Sequence, residues 1–133
     1  MSNVRSRSEK FVSVLDEAVL TANSTMFSTR GKVNQILDLV TTGFSGTIEF
    51  YASISEDAPD LDVAASVTNT YFAVEAKDRN DDAQVAGTTG LTLTTDTAIK
   101  AYGLNVNAIT WFGVKMTRTA GSVTMRAIAT DNS

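Results

Sequence analysis

The chain reads as an all-β protein, an antiparallel β-sandwich of jelly-roll-like type with an extended N-terminal arm, and three observations predict it. The first is alternation in QILDLVTTGFSGTIEFYASIS, residues 35–55. Here Ile48, Phe50, Ala52 and Ile54 share one parity while Thr47, Glu49, Tyr51 and Ser53 share the other, as in a half-buried strand. The second is a repeat of this arrangement in AITWFGVKMTRTAGSVTMRAIAT, residues 108–130. The third is composition: Thr is abundant, 8 Gly punctuate the chain and only 1 Pro is present, which suits many strands joined by turns.

Length and charge bound the possibilities further. A chain of 133 residues suffices for one domain with its own core and is too short for two ordinary ones. The expected division is a flexible N-terminal arm over 1–10 and a single β-sandwich domain over 11–133. Hydrophobic residues at 43% and charged residues at 20% match a folded chain rather than a disordered one. The net charge of −4 repels nucleic acid. With no cysteine and no histidine, thiol chemistry and the commonest general base and metal ligand are missing. The polar start MSNVRSRSEK has no apolar stretch behind it, so no signal peptide is expected. No run approaches the roughly 18 to 20 apolar residues of a membrane span.

Taken in order, residues 1–9 set Arg5 and Arg7 against Glu9 without apolar period. That suits an arm that orders on a partner or a frayed terminus. From Phe11 to Asn23 helix and strand signals compete. Asn23, Ser24 and Thr25 make a turn before a short strand at Met26 and Phe27, stopped by Arg30 and Gly31. Val33 to Thr42 is a long strand with Ile36, Leu37, Leu39 and Val40 on both parities, the pattern of a central strand partly covered on two sides. Asp38 is its one carboxylate, expected to face solvent or bond locally. Gly43 and Gly46 bracket Phe44 and Ser45, so a tight hairpin turn is predicted there. SEDAPDLDVAASVTN, residues 55–69, is an acidic loop. Tyr71 to Ala76 forms the next strand, with Phe72, Val74 and Ala76 on one face. A charged turn KDRNDDAQVAG and a turn at Gly87 to Gly90 follow. Leu91 and Leu93, then Ile99 to Leu104, are strands, with Gly103 marking a bulge or a close approach of a neighbour. Ile109 to Arg118 carries Trp111 on one parity and Phe112, Val114 and Met116 on the other. Trp111 is expected in the core, the alternative being burial against another subunit. Ala120 and Gly121 are read as a second hairpin turn, leading into a last strand with Val123, Met125, Ala127 and Ala129 inward. DNS ends the chain as a free tail.

Candidate metal donors are two groups of carboxylates. Glu56, Asp57, Asp60 and Asp62 could supply oxygens to Ca²⁺, and Asp78, Asn80 and Asp82 alternate like the start of a calcium loop. Neither completes the spacing, which lacks the Gly and the distal Glu, so no metal and no cofactor is expected. No Ser elbow, phosphate-binding Gly loop or paired catalytic carboxylates stand out; no catalytic residue is assigned and no enzyme is expected.

The order of these segments carries a resemblance. A strand before GFSGTIEFYASIS, a long polar insertion, a strand running into a turn before AITWFGVKMT, and a closing TAGSVTMRAIAT resemble small β-sandwich structural proteins of tailed bacteriophage virions. In those proteins a "sGTv.fe.S.D" hairpin and a terminal "R.t..tsGtvtv...at" hairpin recur in the same order. The likeness runs from about Val14 to Thr130, and the similar opening of those proteins favours a strand over a helix before Asn23. It implies a virion protein made in the host cytoplasm, a head decoration protein that binds the outer capsid surface and stabilises it. The implied partners are the major capsid protein and further copies of the chain, for instance in a trimer. Nucleic acid and membrane are not among them. Arg5, Arg7 and Lys10 are the residues expected to contact capsid or subunit. The alternative is a host- or carbohydrate-binding module of a phage tail or fibre, for which Tyr51, Tyr71, Tyr102 and Trp111 are the candidate aromatics.

Overall fold

In the computed structural model, residues 12–18, 22–80, 83–87 and 89–130 are described. The expected arm, with Arg5, Arg7 and Lys10, and the final DNS lie outside them. Among the described residues the secondary structure is all β: β1 Val12–Ala18, β2 Ala22–Asn23, β3 Phe27–Ser28, β4 Asn34–Ser53, β5 Phe72–Ala73, β6 Ala76–Asp78, β7 Gln84–Val85, β8 Leu91–Asn105 and β9 Trp111–Thr130. They form one antiparallel sheet in the order β1-β9-β4-β8-β6-β7, with β2 and β3 also on β9 and β5 on β4.

The two glycine turns are not hairpins. β4 runs unbroken through Gly43 and Gly46, and β9 through Ala120 and Gly121. β9 pairs with β4 from Asn34↔Thr130 to Ser53↔Trp111, and the register shifts between Thr42 and Gly46. β8 pairs on the other side of β4 and shifts register beside the same residues. Three adjacent strands are therefore bulged at one level, and bulges bend and twist the strands that carry them. Gly43 and Gly121 take the left-handed backbone there, at φ 58° and 75°.

The size of the bend follows from chain length. Laid straight, the 20 residues of β4 would span about 65 Å at roughly 3.3 Å each. Yet Val106 donates its N–H to Val33 before β4, while Thr110 donates to Ser53 at its end. The segment from Val106 to Thr110 reaches no more than about 17 Å. β4 must double back, laying its second half over its first. The sandwich is one sheet folded across a corner. Phe50, beyond the corner, packs 6.2 Å from Tyr102, whose strand partner Leu37 precedes it, and 6.3 Å from Phe112. Leu37, Leu39, Phe44, Ile48, Phe112, Val114, Val123 and Met125 are fully enclosed in the same core.

Elsewhere the alternation translates directly. Val123, Met125 and Ala127 point inward, and Arg126 and Ile128 outward. β1 is a strand, as expected, and the short strand at Phe27 is present. The expected strand Tyr71–Ala76 splits: β5 pairs with β4 and β6 with β8, so the chain changes neighbour at Val74 and Glu75. The parity therefore breaks, leaving Tyr71 buried and Phe72 45% exposed. Leu91–Asn105 is one strand rather than two. At Gly103 an added Cβ would stand 3.0 Å from the Arg79 side chain, the close approach that its glycine suggested.

Candidate interaction face

The first half of β4 and the second halves of β8 and β9 turn one side to the core and the other to solvent. On β4 the outward positions are Ile36, Asp38 and Val40. Their partners across the strands are Gly103, Ala101 and Ile99 on β8, and Ile128, Arg126 and Thr124 on β9. Such a face on an antiparallel sheet is normally polar. Here Ile99 is 80% exposed beside Val40 at 37%, with Ile128 at 36%. The expected cover on both sides of β4 is thus a core on one side and an open face on the other.

A charge pair sits in the middle of this face. Arg126 grips Asp38 with two bonds, Nε to Oδ1 at 3.1 Å and Nη2 to Oδ2 at 2.5 Å, a fork-to-carboxylate geometry that fixes both side chains. Asp38 in turn raises the Arg126 pKa above its ordinary value, through the hydrogen bond first and the opposite charge second. At the rim an open groove of about 410 Å³ is lined by Ile36, Gly103, Asn105 and the cations Lys77 and Arg79.

The aromatics sit elsewhere. Tyr102 is only 2% exposed within the main core. Tyr71 joins Met26 and Leu61 in a second, small core, against which Tyr51 and Trp111 pack. Trp111 is therefore half-buried in this satellite rather than in the main core, because its side of β9 is roofed by the loop carrying Leu61. Its free ring face is capped by Arg30, 5.7 Å from the ring centroid. Arg30 is anchored through a hydrogen bond to the Glu56 carbonyl. The Lys115 ammonium stands 5.1 Å from the Tyr51 ring and 5.0 Å from the Tyr71 ring, and donates to the Tyr71 hydroxyl at 3.1 Å. Tyr51 and Tyr71 meet edge to face at 86°. Two crossed rings, a capped indole and a core phenol do not make the coplanar platform on which a sugar stacks. Burial, and after it the Glu49 carboxylate that accepts from the hydroxyl, raise the Tyr51 pKa above 10.0.

Three of the candidate donors already accept hydrogen bonds within the chain. Asp60 accepts from the Asp62 amide, Asp62 accepts from Asn23, and Asn69 ties Asp60, Val63 and Ala64 together. Asp78 accepts from the Asn80 amide, and Asp82 lies outside the described residues. Among those residues no group of three or more acidic side chains converges as a metal site would require.

Sequence reasoning singles out Asp38 as the one carboxylate of its strand, and the inward parity of Val123, Met125 and Ala127 leaves Arg126 and Ile128 on the other side, but nothing local joins them. Their pairing depends on the β4–β9 register, 88 residues apart in sequence, which no local pattern encodes. Val40 and Ile99 were read as ordinary strand residues for the same reason.

No family model matches the sequence, and no curated protein does. Among solved structures, the fold is similar to the crystal structure of the SPBc2 prophage-derived protein YomS. The TM-score is 0.69 over 96% of this chain and 98% of that one, at 12% sequence identity; the likeness is one of fold.

Proposed function

We propose that this chain is a structural protein of a bacteriophage virion, a head decoration protein that docks on the outer capsid surface through its open sheet face. The observation that carries the reading is the set of exposed apolar residues on three adjacent strands, Val40 paired with Ile99 and Ile128 on the far side of the Asp38–Arg126 pair, where a solvent-facing sheet is usually polar. The prophage origin of the similar YomS fold and the order of the glycine-bearing segments support it. A rigid doubled sheet bears a flat surface well, and flat contacts repeated on a lattice add through effective concentration rather than through one deep site. Arg5, Arg7 and Lys10 supply a second contact from the N-terminal segment.

The test is co-sedimentation of purified protein with expanded, undecorated heads of the phage that encodes it. Saturable binding is expected, weakened strongly by Val40→Glu with Ile128→Glu and more modestly by removing residues 1–10. Absence of binding to heads, with retention on host cells or polysaccharide, would replace this function with a receptor-binding one.

A further inference from the structure

Strand β8 has β4 along one side, whereas on its other side, among the described residues, it pairs only with β6, through Lys77 and Asp78 and the Arg79 amide bonded to the Ala101 carbonyl. The Ala98 amide donates to Thr41 Oγ1 at 3.1 Å, so the Ala98 backbone faces β4. Backbone direction alternates along an antiparallel strand, and the Thr97 and Ile99 peptide groups therefore point away from β4. Among the described residues no strand pairs with them. The open stretch is closed at one end by the Arg79 bond to Ala101 and at the other by Thr95, a bulge residue at φ 47°. An edge left open in this way is a template for another strand.

We propose that the β8 edge from Asp96 to Lys100 is a self-association site, where a second copy of this chain pairs antiparallel about a two-fold axis at Ala98. The charges select this occupant and this register. With Ala98 opposite Ala98, Asp96 of each copy faces Lys100 of the other, giving two opposite-charge cross-strand pairs. Within one chain the same two groups already attract, 3.3 Å apart. Ile99 then lies opposite Thr97, covering a side chain that is 80% exposed. The backbone agrees: Ala98 forms the non-bonded pair, while Thr97 and Ile99 exchange both N–H and C=O groups. Centring the axis on Ile99 instead would set Lys100 against Ala98 and lose both charge pairs. The interface is isologous, as two-fold contacts are, and it does not depend on the virion assignment.

The chain has no cysteine, so one introduced thiol is a clean reporter. Facing Cα atoms of a non-bonded pair lie about 4.5 Å apart, within disulfide reach. Mild oxidation should convert Ala98→Cys into a covalent dimer many-fold faster than Val67→Cys, whose position is exposed on a distant loop; equal rates would overturn the pairing. In light scattering with concentration, the wild type should rise from 14.2 kDa toward twice that mass. Asp96→Lys and Lys100→Glu should each stay single, and their equimolar mixture should recover the dimer, because every cross-strand pair is then opposite in charge. A wild type that stays single at every concentration, a threefold mass, or a mixture that fails to dimerise would refute the proposal. Circular dichroism checks that both charge variants fold, and the cysteine arm stands without them.

Discussion

The corner in β4 and β9 can be broken by one methyl group, and its neighbour supplies the control. Gly121 and Gly43 are both left-handed, at φ 75° and 58°. An alanine in that region costs roughly 1–2 kcal/mol in backbone strain. At Gly43 nothing lies within 4 Å of an added Cβ, whereas at Gly121 the new carbon would overlap the carbonyl groups of Thr42 and Gly43. Backbone cannot step aside as a flexible side chain does, so overpacking adds about 1–3 kcal/mol. Gly121→Ala should thus cost about 2–5 kcal/mol and Gly43→Ala about 1–2, out of a total stability of roughly 5–15. At about 3–5 °C per kcal/mol for a domain of this size, the melting midpoint falls by about 6–25 °C and about 3–10 °C respectively. Thermal melts by circular dichroism read both. If Gly43→Ala proved as damaging as Gly121→Ala, close packing of β9 onto β4 would not be what holds the corner.

Three further outcomes are expected. Phe112→Ala, at the centre of the main core, should lose about 3–5 kcal/mol, while Val67→Ala, 95% exposed, should stay within about 0.5; urea titration compares them. Asp38→Asn should lower the melting midpoint slightly in low salt and leave it unchanged near 1 M salt, where surface charges are screened; a salt-independent loss would mean the pair acts through packing. Tyr51 gains proton affinity on folding, so its contribution is complete below the ordinary phenol pKa of 10.0 and is lost as pH rises through the higher folded value. Phenolate absorbance, taken as wild type minus Tyr51→Phe, should therefore show a late ionisation. In Glu49→Gln it should move earlier yet stay above 10.0, because burial, the larger cause, persists.

Alternation made the strands legible wherever one face meets the core. Val123, Met125 and Ala127 could be set inward from parity alone, whereas Phe112, Val114 and Met116 could not, because Trp111 makes the opposite parity of that stretch equally apolar. Three features escaped. Trp111 lies on the parity opposite the core, and only the fold of the 55–70 loop, which brings Leu61 against Gly113 and Met26, makes that side a second core. The split at Val74 and Glu75 arises because β5 and β6 pair with different strands, a tertiary choice. The open face around Asp38 and Arg126 needs the register between strands that are distant in sequence.

The glycine corners show most clearly where local reasoning stops. Gly43 and Gly121 announce a sharp change of direction, and that much was correct. A hairpin and a corner differ only in whether the returning half lies beside the first, bonded to it, or above it, separated by side chains. Phe44 decides between them. It is fully enclosed at the bend, and a residue at the tip of a two-residue hairpin loop would stand in water. An aromatic between two glycines is therefore better read as a plug around which a sheet folds. The same geometry bears on association. Folding the sheet over covers one face of every long strand and joins the two ends of β4, yet leaves the outer face and the β8 edge next to each other. Pairing at that edge would align two such faces into one continuous surface. Each copy's Ile99 would then lie diagonally across the seam from the other's, with Val40 one strand behind it, extending the apolar area presented to a partner lattice without any new fold.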